Sequence, residues 1–154
     1  MNLREIEPYD IDVLVEMYYD LIGYAYPNRE RKSIDKYYKA VQEWYEQPGL
    51  NRVRIVEKDD VPVGFSLATY VNAGGLTEIY INAEVTYVKE EYRNTKAAFL
   101  LYNDVYRFAQ DEEMGIESTS TPASSPIVQK RWGANHMFNH FEVTKEQIRN
   151  SKKI

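Results

Sequence analysis

The chain has 154 residues, of which 44% are hydrophobic and 28% charged, with a formal net charge of −5 and no cysteine. That size and apolar content suit one domain around one core and argue against disorder; the missing cysteine excludes a disulfide scaffold, a thiolate nucleophile and a cysteine zinc site. The acidic balance, with no basic stripe interleaved with aromatics, makes nucleic acid an unlikely partner on electrostatic grounds, and no run of about 18 apolar residues exists to cross a membrane.

Residues 2–6 read as a short strand that Pro8-Tyr9-Asp10 stops. Asp10 is the expected N-cap of a helix over 11–22, whose apolar positions Val13, Leu14, Met17 and Leu21 share one face. Gly23 and Pro27 end it, and Ser33 is the expected cap of the next helix, with Asp35 in its first turn. Ile34, Tyr37, Tyr38, Val41, Trp44 and Tyr45 follow at spacings of three and four, up to the breaker Gln47-Pro48-Gly49. Residues 52–58 and 61–71 read as a hairpin about the Asp59-Asp60 turn. A second turn, residues 72–75, leads into a long strand over 78–88, so 52–88 is expected to be an antiparallel meander.

Residues 95–113 return to helical period, with Ala97, Leu101, Val105 and Phe108 as the buried stripe, and Gly115 follows as a terminator. A strand over 116–120, a Ser/Thr/Pro-rich loop over 119–126, a short helix over 126–132 ending at Gly133 and a strand over 137–143 complete the pattern. The element order predicts a mixed α/β (α+β) fold in a single domain, residues 1–143, with a polar tail over 144–154. The charged N-terminus, Met1-Asn2-Leu3-Arg4-Glu5, has no signal-peptide character, which makes a cytoplasmic location the expectation. Monomer and homodimer both fit the sequence.

The junction over 84–98 carries the chemistry. A strand enters a short polar turn that opens into a helix, and a helix N-terminus presents unpaired N–H groups and a positive dipole end to an anion. Arg93 and Lys96 add two cations there.

The spacing Arg93-x-x-Lys96-x-Ala98 resembles the pyrophosphate loop of the GNAT superfamily of N-acetyltransferases, Gln/Arg-x-x-Gly-x-Gly/Ala, with Lys96 where the family has glycine. Val63-Gly64-Phe65, Val88-Lys-Glu-Glu-Tyr-Arg93 and Trp132-Gly133 resemble further landmarks of that family, the second with Glu90 in place of its proline. The resemblance implies a mostly antiparallel sheet with helices on both faces and splayed fourth and fifth strands, and acetyl-coenzyme A as cosubstrate in the cleft between them. Pantetheine would pair with backbone groups of Thr86, Tyr87 and Val88. Pyrophosphate would rest on the amides of Asn94, Thr95, Lys96, Ala97 and Ala98, with Arg93 beside them.

Acyl transfer to an amine needs a neutral amine, a stabilised oxyanion and a protonated leaving thiolate. Glu84, in Glu84-Val-Thr-Tyr-Val88, resembles the family's strand carboxylate and is the first candidate base; Glu78 is the second. The tyrosine that family members often carry four residues before the landmark glycine is Gln129 here, and Pro122 and Ser125 replace the usual asparagine and alanine. Ser124, Ser125 and Tyr102 are substitutes without a motif behind them. His136 and His140 lack a third ligand and read as packing or surface residues. Tyr18, Tyr19, Tyr24, Tyr26, Tyr37 and Tyr38 crowd the first two helices, where with Asp20, Glu30 and Asp35 they could receive a cationic amine; helix packing is the simpler reading.

The expectation is therefore an acyl-coenzyme A-dependent N-acyltransferase acting by direct attack of a small-molecule or peptide amine. Two alternatives stay open: a catalytically degenerate binding or regulatory protein, and a phage-type relative that modifies nucleic-acid bases.

Overall fold

The computed structural model describes residues 1–72, 79–118 and 149–150. Within them β1 (Asn2–Glu5), β2 (Asn51–Lys58), β3 (Val61–Asn72), β4 (Ile79–Val88) and β5 (Gly115–Ser118) form one sheet in sequence order. Neighbours pair antiparallel except β4 and β5, which are parallel. A parallel pair requires a crossover, and α3 (Ala97–Asp111) supplies it. Helices α1 (Ile11–Ala25) and α2 (Ile34–Glu46) lie between β1 and β2 in the chain.

The apolar stripes read from the sequence sort onto the two faces of this sheet. Leu14, Val15 and Met17 of α1 and Tyr37 and Val41 of α2 pack on Val53, Ile55, Phe65, Leu67 and Tyr87. On the opposite face Ala97 and Leu101 of α3 meet Val56, Val63 and Val88, and Val105 meets Ala68 and Ile81. The β2–β3 turn is tight because Asp59 and Asp60 both take positive φ, 52° and 62°, the conformation that matches the twist of a two-residue hairpin.

Local chemistry departs from expectation at the helix starts. Asp10 stands at the N-cap position of α1, as expected, but its side chain makes no cap hydrogen bond. A 3-10 turn over Pro8–Asp10 places its buried carboxylate where it accepts the Glu7 N–H at 2.8 Å. The same carboxylate receives the Arg4 fork at 2.7 and 2.8 Å, and Arg4 Nε reaches Glu57 at 2.7 Å. Ser33 does precede α2, without a capping hydrogen bond. The third helix begins at Ala97 and not at Thr95, because a 3-10 turn over Glu90–Tyr92 intervenes and Thr95 Oγ1 donates to the Tyr92 carbonyl at 2.6 Å. Glu78, the loop over 119–126, Gln129, the helix over 126–132, Gly133, His136, His140, the strand over 137–143 and the tail apart from 149–150 lie outside the described residues.

Candidate functional site

The site is organised by one extra residue in β4. Leu67 of β3 is paired with Val85, but the next residue, Ala68, is paired with Ala83, so Glu84 is a bulge without a partner on β3. Side chains alternate along a strand, and one inserted residue moves all that follow to the other face. Accordingly Ile81 and Ala83 pack toward α3, whereas Val85 and Tyr87 pack toward α1 and α2. Glu84 itself is exposed, and Thr69 Oγ1 donates to its Oε2 at 3.4 Å. Across the α1 face stands Tyr18, whose phenol is pushed above its ordinary pKa by burial and secondarily by the Glu84 charge.

Beyond the bulge, among the described residues, β4 has an open edge. β5 pairs only with Tyr80, Ile81, Asn82 and Ala83, so among the described residues β5 leaves residues 84–88 unpaired on that side. The Lys89 N–H donates to the Val63 carbonyl at 2.9 Å, which turns the main chain of Lys89, and by alternation that of Tyr87, toward β3. The main-chain groups of Thr86 and Val88 therefore face the open edge. The Val88 carbonyl accepts from Arg93 Nε at 3.1 Å, and the Arg93 guanidinium lies over the Tyr24 ring, 4.8 Å from its centroid. Burial, and next the Asp20 charge, raise the Tyr87 phenol, while Arg93 opposes the shift.

The edge is joined to the N-terminus of α3 by the 3-10 turn over Glu90–Tyr92. Arg93, Asn94, Thr95 and Lys96 are exposed, Ala98 is half-buried and Ala97 is buried. Thr95 Oγ1 accepts the Ala97 N–H at 3.3 Å. The ladder of α3 starts with Leu100 N–H donating to the Lys96 carbonyl at 3.0 Å, so the N–H groups of Ala98 and Phe99 precede it and point out along the axis. Lys96 has φ −73°, an ordinary value for a side-chain-bearing residue. Its φ does not call for glycine. Lys58 adds a third cation nearby, its Nζ 5.7 Å from the Tyr92 ring centroid.

The crowded tyrosines divide by role. Tyr19–Tyr37 and Tyr37–Tyr18 meet edge-on at 5.3 Å, Tyr18–Trp44 at 4.8 Å, and Trp44–Phe65 and Phe65–Tyr87 at 6.2 Å. This seam locks α1 and α2 to the sheet and ends at the open edge. Tyr24 and Tyr38 are exposed, and Tyr38 donates to Asp12. Arg29 and Arg31 are exposed and lie over the Tyr26 and Tyr19 rings at 4.3 and 4.5 Å. On the other face the Tyr102 phenol of α3 is hydrogen-bonded to Thr86 and raised in pKa by burial.

A cavity of about 500 Å³ lined by Trp44, Arg52, Arg54, Tyr70 and Phe108 lies at the far end of β2 and β3 from this junction. Among the described residues no group of three or more His, Asp or Glu side chains could hold a metal ion, and no helix is long and apolar enough to cross a membrane. The sequence reading missed the bulge and the influence of the Glu84 charge on Tyr18. Neither leaves a local signal, since both depend on which residues of β3 and α1 stand opposite.

No protein-family model matches the sequence, and neither does any curated protein. Solved structures match in shape. A protein from Clostridium difficile 630 described as a possible acetyltransferase superposes with TM-score 0.75 at 17% identity, over 93% of this chain and 96% of its own. An aminoglycoside N-acetyltransferase, AAC(6')-Iy in complex with coenzyme A, gives 0.71 at 17% identity, over 94% and 93%. A predicted acetyltransferase from Clostridium acetobutylicum with acetyl-CoA gives 0.69 at 18% identity, over 93% and 95%. At these identities the likeness is one of fold.

Proposed function

We propose that this chain, which carries the fold of the GNAT acetyltransferases, is an acyl-coenzyme A-dependent N-acyltransferase that moves acetyl from acetyl-coenzyme A to a small-molecule or peptide amine. One observation carries the reading: among the described residues the open edge of β4 leads, through the single 3-10 turn over Glu90–Tyr92, to the N-terminus of α3. That is one continuous track for an amide-bearing arm followed by a diphosphate. The arm pairs with main-chain groups of Thr86 and Val88. The diphosphate sits on the first amides of α3, around residues 94–98, with Arg93 and Lys96 supplying charge. Arg93 must leave the Val88 carbonyl to take part, and exchanging a neutral acceptor for a phosphate strengthens its hydrogen bond.

At the head of the track Glu84 accepts the proton that the attacking amine gives up, directly or through a water. Glu78 is the second candidate for that task. The Val88 N–H, on the open edge, polarises the thioester carbonyl. A non-enzymatic binding or regulatory protein on the same fold is the second reading, favoured by Gln129 at the place of the family's tyrosine. Thiol release from acetyl-coenzyme A with a panel of primary amines separates the two.

Isothermal titration with acetyl-coenzyme A tests the proposal directly. Binding heat and a rise in melting temperature are expected, both reduced in Arg93→Ala and Lys96→Glu. No heat and no thermal shift at millimolar coenzyme would sink it.

A further inference from the structure

The two flanks of α3 face different chemistry. Asp104 binds the Arg52 guanidinium at 3.0 Å, and Phe108 lies under Arg52 and beside Tyr70, so that flank looks toward β2 and β3. Phe99, Tyr102 and Tyr106, three and four residues apart, form the opposite flank, which looks toward the open edge of β4. The Tyr102 phenol meets the Thr86 side chain, and the main chain of that residue faces the open edge.

We infer that Tyr102 gives the departing thiolate its proton in the acetyl transfer proposed above, an assignment that rests on that reading. Thr86 is two residues from the Glu84 bulge, about 7 Å along the strand. Tyr102 is five residues from Ala97, about 7.5 Å along α3 from the anion end. The phenol thus stands beside the track between the phosphate seat and the base, where the sulfur end of the arm must pass. Two other phenols near β4, Tyr18 and Tyr87, belong to the α1–α2 face.

The amine nitrogen forms the C–N bond to the acetyl carbon, the C–S bond breaks with its electron pair to sulfur, and sulfur takes the Tyr102 proton. Glu84 takes the surplus proton of the new amide nitrogen. Solvent then returns a proton to Tyr102 and removes one from Glu84.

The test compares wild type with Tyr102→Phe, which keeps the ring, on two donors: acetyl-coenzyme A and S-acetyl-4-nitrothiophenol, whose thiolate leaves without protonation. Ethanolamine and benzylamine serve as acceptors. With acetyl-coenzyme A, kcat should fall by at least about 100-fold, the usual span of a lost general acid, while the aryl thioester shows no such fall and coenzyme affinity by titration is unchanged. Equal losses on both donors indicate a merely structural tyrosine and overturn the assignment, as does wild-type kcat in Tyr102→Phe, or the same donor-dependent loss in Tyr106→Phe alone. A wild-type chain that binds coenzyme and releases no thiol overturns the acyl-transfer reading itself, and Tyr102 with it.

Discussion

Lys96 illustrates how one residue can depart from a family pattern at little cost. A glycine is demanded by a positive φ or by a backbone that must approach its ligand without a Cβ, and the φ of −73° at Lys96 removes the first demand. Lys96→Gly is therefore expected to change stability by only a few tenths of a kcal/mol in urea unfolding, as at other N-cap positions. Lys96→Glu reverses the charge at the positive end of α3 and should weaken acetyl-coenzyme A about tenfold, the equivalent of about 1.4 kcal/mol. Ser66 makes the opposite point. It is buried at 1% exposure and its hydroxyl has no hydrogen-bond partner among the described residues. An unsatisfied buried hydroxyl costs about 1–3 kcal/mol, so Ser66→Ala should raise the melting temperature. A fall would mean that the hydroxyl has a partner.

At the scale of elements, the β3–β4 pair decides where the site lies. Gly64 sits opposite Val88 in register. A Cβ there would stand 2.6 Å from the Tyr87 carbonyl oxygen and 3.1 Å from Val88 Cγ2. Backbone cannot move aside as a flexible side chain can, so Gly64→Ala should cost about 1–3 kcal/mol, the range for overpacking, and should disturb the edge that ends at Val88. Urea unfolding with a native-state hydrogen-exchange measurement on Thr86 and Val88 checks both parts. The strands and helices themselves were legible because each has one apolar face with its own period, as in Leu14, Met17 and Val41 or in Val53 and Ile55. The junction over 84–98 was legible for the same reason: polar turn residues separate two periodic runs. The bulge was not, because Glu84-Val-Thr-Tyr-Val88 reads as unbroken strand and only the residues of β3 opposite reveal the insertion. Asp10 stands where expected, but its side chain is redirected from the helix cap for a related reason, by Arg4, six residues back in sequence, and by the turn that Pro8 begins.

For the whole molecule, that Arg4 cluster is the point where three parts of the chain are tied. Arg4 is on β1, Asp10 closes the turn before α1, and Glu57 is on β2. β1 has only four residues, so its backbone ladder is short and the charge pairs carry much of its attachment. Asp10 is 1% exposed and Glu57 9%; removing Arg4 would leave a buried carboxylate without its partner, a loss of about 3–5 kcal/mol. The Arg4 hydrogen bond, helped by Asn2, holds the Glu57 carboxyl below its ordinary pKa against the opposing effect of burial. A carboxyl with a lowered folded pKa binds its proton more readily when unfolded. Its stabilisation is complete above the unfolded value of about 4.3 and is lost as pH falls through the folded value. Melting temperature should therefore hold from pH 8 to about 5 and fall below about pH 4 on this account. Glu57→Gln should melt lower than wild type at pH 7 and lose less of its stability on acidification. Parallel acid slopes for the two proteins in scanning calorimetry would show that the attachment of β1 does not depend on the Glu57 charge.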